Sequence, residues 1–412
     1  MTLSTANIQV RQHGPMEYSA PPVDIDIVRR YRAARIREKL KEMDYAGILL
    51  FNPINVRYAC DATNMQLWCT HYETRSVFVA ADGPLILFDY GHYPYLAEGI
   101  PTIDEYRVNP SFYYFAVGPH NEQKAKEFGA VIADLVKTHG AGNSRLAIDR
   151  LSALGCDAIR KHGVSIHDGE EVMELARVIK SAEELVLMQQ AIDVCEIALG
   201  RMREATQPGM TENALWAVLH HTNIELGGEW IETRLMSSGP RTFPWFRESS
   251  MRKIQAGDMI SLDTDLIGPY GYCADMSRSW ICGDGKPSAA QKRIHAFACE
   301  QIEHNKSILK AGMTFREVAE KAWKIPDEFA DYRYVVLIHG VGLADEYPSI
   351  KHIHDFDDKG YDGMLEENMT LCVESYIGSA KSGEGVKLEE QVLVCADGIR
   401  PLTTDPLDAG WS

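Results

Sequence analysis

Six side chains that ordinarily face water stand inside or beside apolar runs in the C-terminal part of this 412-residue chain. They are Asp263, Asp265 and Asp275 in SLDTDLIGPYGYCADMSRSW, His339 in VVLIHGVGLADEYP, Glu374 in LCVESYIG and Glu389 in VKLEEQVLV. Short apolar runs of this kind read as buried strands. A carboxylate taken out of water is costly unless something cationic compensates it. Any one of these acids, read alone, is a solvated or ion-paired side chain. As a set, five carboxylates with one imidazole suit two divalent ions bound mainly through hard oxygen.

Spacing adds geometry to that expectation. Asp263 and Asp265 are two residues apart, which on one strand turns both to the same side. Asp275 follows the Gly-rich turn GPYGY and can return opposite them on a hairpin. Glu374 and Glu389 can meet across a second hairpin in the same way. His339 precedes Gly340-Val341-Gly342, where small residues allow close backbone approach.

Composition narrows the function classes. A net charge of -17 argues against a nucleic-acid surface, which needs clustered Lys and Arg. The nine cysteines are dispersed and form no CxxC pair, which predicts reduced thiols in the cytoplasm. The N-terminal stretch has no apolar h-region, so it does not read as a secretory signal. No stretch approaches the length of apolar sequence that spans a bilayer, so no membrane association is expected.

Residues 1–24 are polar and Pro-containing and read as an N-terminal arm. Residues 25–174 alternate helical patterns with strands: AGILLFNP, a hairpin turning at Asp82-Gly83, and RLAIDR. They form an expected α/β domain. Residues 175–412 open on a helix with a Ser181/Glu184 capping box and apolar residues at helical spacing through Leu185, Met188, Ile192, Cys195 and Leu199. A second helix opens at Thr211 and a third runs from about Ala289 to Leu309. Between them, short strands and Gly-rich turns predict an α+β domain with the acids on central strands.

The order Asp, Asp, His-Gly-x-Gly, Glu, Glu resembles the pita-bread metallohydrolases, the family of methionine aminopeptidase, prolidase, aminopeptidase P and creatinase. RVIKSAEEL and LKAGMTFREV are similar to family helix starts, and ADMSRSW to its Asp-x-x-Arg-Thr segment. The resemblance implies a creatinase-like N-terminal domain, a pita-bread C-terminal domain over about residues 175–400, and a homodimer. It also implies that Asp275 and Glu389 bridge two metals, that Asp263 completes one ion's shell, and that His339 and Glu374 complete the other's. The chain departs from the peptidase pattern. The family's histidine seven residues after the HGxG histidine is replaced by Glu346, with Asp345 beside it. The stretch that corresponds to the family's upstream catalytic histidine is RTFPWFRESS, which has no histidine and carries Trp245 at about that place. Asp265 stands where the family has Gly and is a further possible ligand. The loop to Asp275 is one residue longer than usual.

Within the family the chain looks most like the lyases that cleave dimethylsulfoniopropionate to dimethyl sulfide and acrylate, including the stretches HYETRSVFVAADG and EWIETRLMSSGPRTFPWFRESS. The metals there resemble an iron pair, although the ligand set would also accept manganese or zinc. This small zwitterion carries a carboxylate and a sulfonium, so β-elimination needs a base for the proton α to the carboxylate. Asp345 is the expected base and Glu346 its competitor. Aromatic faces can hold the sulfonium by cation–π contact; the candidates are Tyr334, Trp245, Trp68 and Tyr72, the last two able to reach the site from either subunit. Arg278 either braces the ligands or makes a surface ion pair. The alternative activity is a Xaa-Pro-type metallopeptidase. A non-catalytic binding protein and a metal-free creatinase-like hydrolase are both disfavoured by the complete ligand set.

Overall fold

The computed structural model describes residues 21–283 and 285–411; the expected arm therefore lies outside the described residues except for 21–24. The first helix, Ile25–Glu42, is N-capped by Asp24 and buries Val28, Ile36 and Leu40. It covers a six-stranded sheet made of β1 (Gly47–Leu50), β2 (Ser76–Ala80), β3 (Leu85–Asp89), β4 (Glu105–Val108), β5 (Arg145–Ile148) and β6 (Ser165–Asp168), in the order β4-β3-β2-β1-β5-β6. The strand in AGILLFNP ends before Asn52, and Asn52 then caps a helix, Pro53–Cys60, that its Asn-Pro pair had suggested only as a stop.

The C-terminal part begins with the capping-box helix Ala182–Ala205. Its strands fall into three sheets: β7 (Trp230–Ile231), β10 (Leu266–Ile267) and β11 (Cys273–Ala274); β8 (Met236–Ser238), β9 (Met259–Asp263) and β12 (Ser277–Ile281); and β13 (Ile338–Val341), β14 (Asp345–Ile350), β15 (Thr370–Ser379), β16 (Glu384–Cys395) and β17 (Gly398–Pro401). The last two sheets meet through buried polar bonds: Ser261 Oγ donates to Gly385 O at 2.9 Å, and Lys387 N donates to Ser279 Oγ at 3.2 Å.

One strand expectation is corrected. Asp263 and Asp265 do not share a strand face, because β9 ends at Asp263 and Asp265 has φ +37°. Thr264 causes the break: its Oγ1 donates to Ala274 O at 2.8 Å and accepts from Met276 N at 3.0 Å. Those bonds turn the chain out of one three-stranded sheet and into the other. Among the described residues, no helix is long and apolar enough to cross a membrane.

Candidate metal centre and its rim

Both expected hairpins exist. β9 and β12 pair antiparallel with Asp263 opposite Ser277, and Asp275 lies just before β12. β15 and β16 place Glu374 directly opposite Glu389. β13 adds His339 beside Cys372 of β15. The two glycines after His339 are required by contact. A Cβ on Gly340 would lie 2.3 Å from the Tyr347 carbonyl, and one on Gly342 would lie 2.4 Å from the Glu346 carboxylate.

The six residues converge. Ligand atoms of Asp263, Asp265 and Asp275 all lie within 4.8 Å of one another, and so do those of Asp275, His339, Cys372 and Glu389. Asp275 belongs to both groups. His339 Nδ1 is 3.0 Å from the Gly340 carbonyl, which can only accept, so Nδ1 carries the proton and donates. That leaves Nε2 facing inward, 3.6 Å from Asp275 Oδ2 and 3.4 Å from oxygens of both Glu374 and Glu389.

Lys387, which the sequence reading missed, already fills part of this charge demand. It is fully buried, and its Nζ sits 2.6 Å from Glu374 Oε2, 3.0 Å from Asp263 Oδ2, 3.2 Å from Glu389 Oε2 and 2.7 Å from Ser277 Oγ. Strand alternation was the available signal, since Lys387 is two residues before Glu389 and shares its face. One ammonium does not satisfy five carboxylates. Burial, then repulsion from Asp265 and Glu389, holds Asp275 well above the ordinary aspartate range. Burial pushes Asp263 up to about 7 despite Lys387. Burial also works to raise Glu389, but Lys387 and His339 outweigh it and hold it well below its usual value. For His339, burial opposes protonation, yet Asp345, Glu374 and Glu389 win and raise its pKa strongly. A divalent cation competes with that proton for Nε2.

Among the described residues, the buried Asp275 Oδ1 has no hydrogen-bond partner, and Glu389 Oε1 has only the His339 ring 3.4 Å away, outside hydrogen-bond geometry. Under-satisfied carboxylate oxygens converging at one buried place are consistent with a cation site. The oxygen-rich donor set fits divalent metal.

Around this core the candidate base residues separate cleanly. Asp345 opens β14, its side chain is 58% exposed, and its Oδ1 is 3.6 Å from His339 Nδ1. Burial of its inner edge raises its pKa, against the pull of His339. Glu346 points the other way: it is buried, 2.8 Å from Lys180 and 3.1 Å from Arg177, and accepts from Leu343 N. It bolts β14 to the segment joining the two halves of the chain. Arg278 is fully buried rather than a surface ion pair. It donates to the backbone oxygens of Glu389 and Ser277 at 2.7 and 3.0 Å, so it braces the ligand strand through its main chain.

The aromatic candidates lie apart. Tyr334 precedes β13 rather than lying on it, with its ring 4.6 Å from Lys387 Nζ. The ring stacked on Tyr334 is Phe246, at 5.5 Å, and no local pattern in FPWF distinguishes the ring that does this. Trp245 is buried against Tyr376, 5.7 Å between centroids. Trp68 and Tyr72 pack with tilted rings 4.9 Å apart on the N-terminal half, and Phe115 packs against both.

The metallopeptidase family M24 matches residues 186–396, which hold all six converging residues, and the creatinase/prolidase N-terminal domain matches residues 32–179. The chain belongs to the M24 metallopeptidase family. Among M24-type relatives, it is 41% identical over 390 residues to the dimethylsulfoniopropionate lyase DddP of Roseovarius nubinhibens, covering 93% of this chain and 87% of that protein. DddP of Roseobacter denitrificans is 40% identical over the same share of both chains. The Xaa-Pro dipeptidase of Pyrococcus furiosus is 28% identical over 57% of this chain and 65% of its own. The M24 fold is equally evident in space: recombinant prolidase from Thermococcus sibiricus superimposes with a TM-score of 0.75 over 92% of this chain and 97% of its own, at 20% identity.

Proposed function

We propose that this chain is a metal-dependent dimethylsulfoniopropionate lyase that releases dimethyl sulfide and acrylate by β-elimination. The observation that carries the reading is its 41% identity, over 93% of its length, to a protein named for that activity. The site chemistry supports it, because the position of the peptidase histidine is taken by Glu346, which is locked into ion pairs with Lys180 and Arg177.

Asp263, Asp265, Asp275, His339, Glu374 and Glu389 are the proposed holders of two divalent ions, iron favoured and manganese or zinc compatible with the same donors. Such ions would supply Lewis-acid charge to the substrate carboxylate and steady the negative charge that develops beside it. Asp345 takes the proton from the carbon α to the carboxylate. Its exposure gives the substrate access, and its raised pKa makes it a stronger base than an ordinary aspartate. The electron pair left behind forms the carbon–carbon double bond, the bond to sulfur breaks, and sulfur leaves with that bond's electrons as neutral sulfide. The proton stays on Asp345 until water removes it. Tyr334, whose ring lies 4.6 Å from the Lys387 ammonium, and Trp245, buried against Tyr376, are the proposed aromatic neighbours of the sulfonium. In a homodimer, Trp68 and Tyr72 of a partner subunit extend the same aromatic wall. All nine cysteines are free, in keeping with a cytoplasmic setting.

The test is headspace gas chromatography on purified protein with dimethylsulfoniopropionate, with and without a chelator. Metal-dependent dimethyl sulfide with equimolar acrylate is expected. No gas from a metal-loaded, folded sample overturns the reading, and hydrolysis of Xaa-Pro dipeptides by that sample would establish the peptidase instead.

A further inference from the structure

Phe246 has φ +73°, a left-handed conformation that side chains with a Cβ rarely adopt. It is also 54% exposed, so no burial of its ring compensates. Strain at a large exposed residue persists only where its surroundings over-determine it, and such positions cluster at ligand clamps.

The surroundings here are specific. Glu212 is fully buried and accepts from Ser238 N and Oγ at 2.9 and 2.8 Å, and from Ser250 N and Oγ at 3.0 and 2.6 Å. One carboxylate thus clamps both ends of the loop that carries Phe246. Arg241 pairs with Glu212 and donates to Glu248 O at 2.9 Å, tying the loop across its middle. Phe243 packs edge-on against Tyr332 at 4.6 Å. The clamped loop delivers the Phe246 ring onto Tyr334, at 5.5 Å and 26° between planes.

Tyr334 is already engaged by a cation. The ammonium of Lys387 lies 4.6 Å from its centroid, deep in the protein, while Phe246 covers it from the solvent side. A second cation brought onto Tyr334 meets the repulsion of that ammonium. The exposed ring of Phe246 stands one ring further from the Lys387 ammonium than Tyr334 does.

We propose that Phe246 is a specificity-determining residue whose exposed ring receives the methyl groups of the sulfonium. The inference rests on the lyase reading and deepens it. The aromatic ring selects a positively charged group over a neutral group of the same shape, and the strained backbone keeps the ring presented before substrate arrives.

The test uses the metal-loaded full chain and isothermal titration with two probes that cannot eliminate. Dimethylsulfonioacetate carries the cation; 3-methylbutanoate has the same branched shape without the charge. Phe246→Leu is expected to weaken the sulfonium acid by about 3- to 30-fold, the range of a cation–π contact. Binding of 3-methylbutanoate should stay within about 2-fold, since an apolar side chain remains to pack against it. Phe246→Tyr, which retains the ring, should bind both probes like the wild type and guards against a folding defect in the leucine variant. Equal losses for both probes, or no loss for either, overturn the assignment. If the wild type binds neither probe and releases no dimethyl sulfide from dimethylsulfoniopropionate, the lyase reading fails; if it does both and Phe246→Leu matches it, only the role of Phe246 fails.

Discussion

Lys387 faces three carboxylates from a single nitrogen with no exposed surface. In a low-dielectric interior the removal of one partner of such a set leaves the rest uncompensated, which typically costs about 3–5 kcal/mol. Lys387→Met should therefore destabilise the chelated protein by that order in urea denaturation. The loss should be smaller with metal bound, since divalent ions take over the neutralisation. An equal loss in both states would mean that the ammonium is not the counter-charge. Asp345 makes a different demand. As the proposed general base it must be ionised, so activity should fall as pH drops through its folded pKa, and the upward shift should move that acid limb above the range of an ordinary aspartate. The pH profile of kcat/KM reads this directly. Asp345→Asn should cut turnover by about 10²–10⁴-fold with metal content unchanged by atomic emission, whereas Asp275→Ala should lose metal and activity together. The acids were legible because a carboxylate inside an apolar run is anomalous. Lys387 was not, because VKLEEQVLV reads equally well with that lysine at the edge of a solvated face.

At the scale of elements, register decides the site more than residue identity does. The β15–β16 pairing sets Glu374 against Glu389, and the hairpin expectation met this arrangement. The same reasoning failed over Asp263 and Asp265, because side-chain alternation holds only while the strand lasts, and the bonds of Thr264 end it. Packing behind the rim is likewise invisible to periodicity. His352 is buried next to Arg333, and burial first, then that guanidinium, lowers its pKa to about 4. A histidine depressed in this way contributes stability that is complete above its unfolded value, near 6.5, and is lost as pH falls toward 4. Chemical denaturation across that window should show a decline on the order of 3 kcal/mol attributable to this group. His352→Gln should flatten it; an unchanged slope would place the acid sensitivity elsewhere.

At the scale of the molecule, the two halves are joined by buried charge as well as by apolar packing. Arg32 of the first helix is 1% exposed; its Nε lies 3.0 Å from Glu184 and its Nη2 donates to the Tyr272 hydroxyl. Arg57 reaches Glu229 with bonds of 2.7 and 2.6 Å. Neither pair could be read from the sequence, because partners 152 and 172 residues apart share no local pattern. The α/β and α+β character was legible, since alternation of strand and helix is local. Arg32→Met leaves Glu184 without its cation in the interior, and scanning calorimetry should then resolve two transitions where one is expected of the intact protein; a single shifted transition would mean that the apolar contact alone couples the halves. The glycines after His339 carry a consequence of another kind, in the language of codons. Every single-nucleotide missense change from a glycine codon introduces a residue with a Cβ, and at Gly340 or Gly342 that atom collides with a carbonyl or a carboxylate. The genetic code thus offers no small step away from this stretch, whereas Phe246 has tyrosine one nucleotide away, ring intact. Drift is closed at the platform and open at the rim, which is the asymmetry a lineage needs if it is to keep its metals while changing what it cuts.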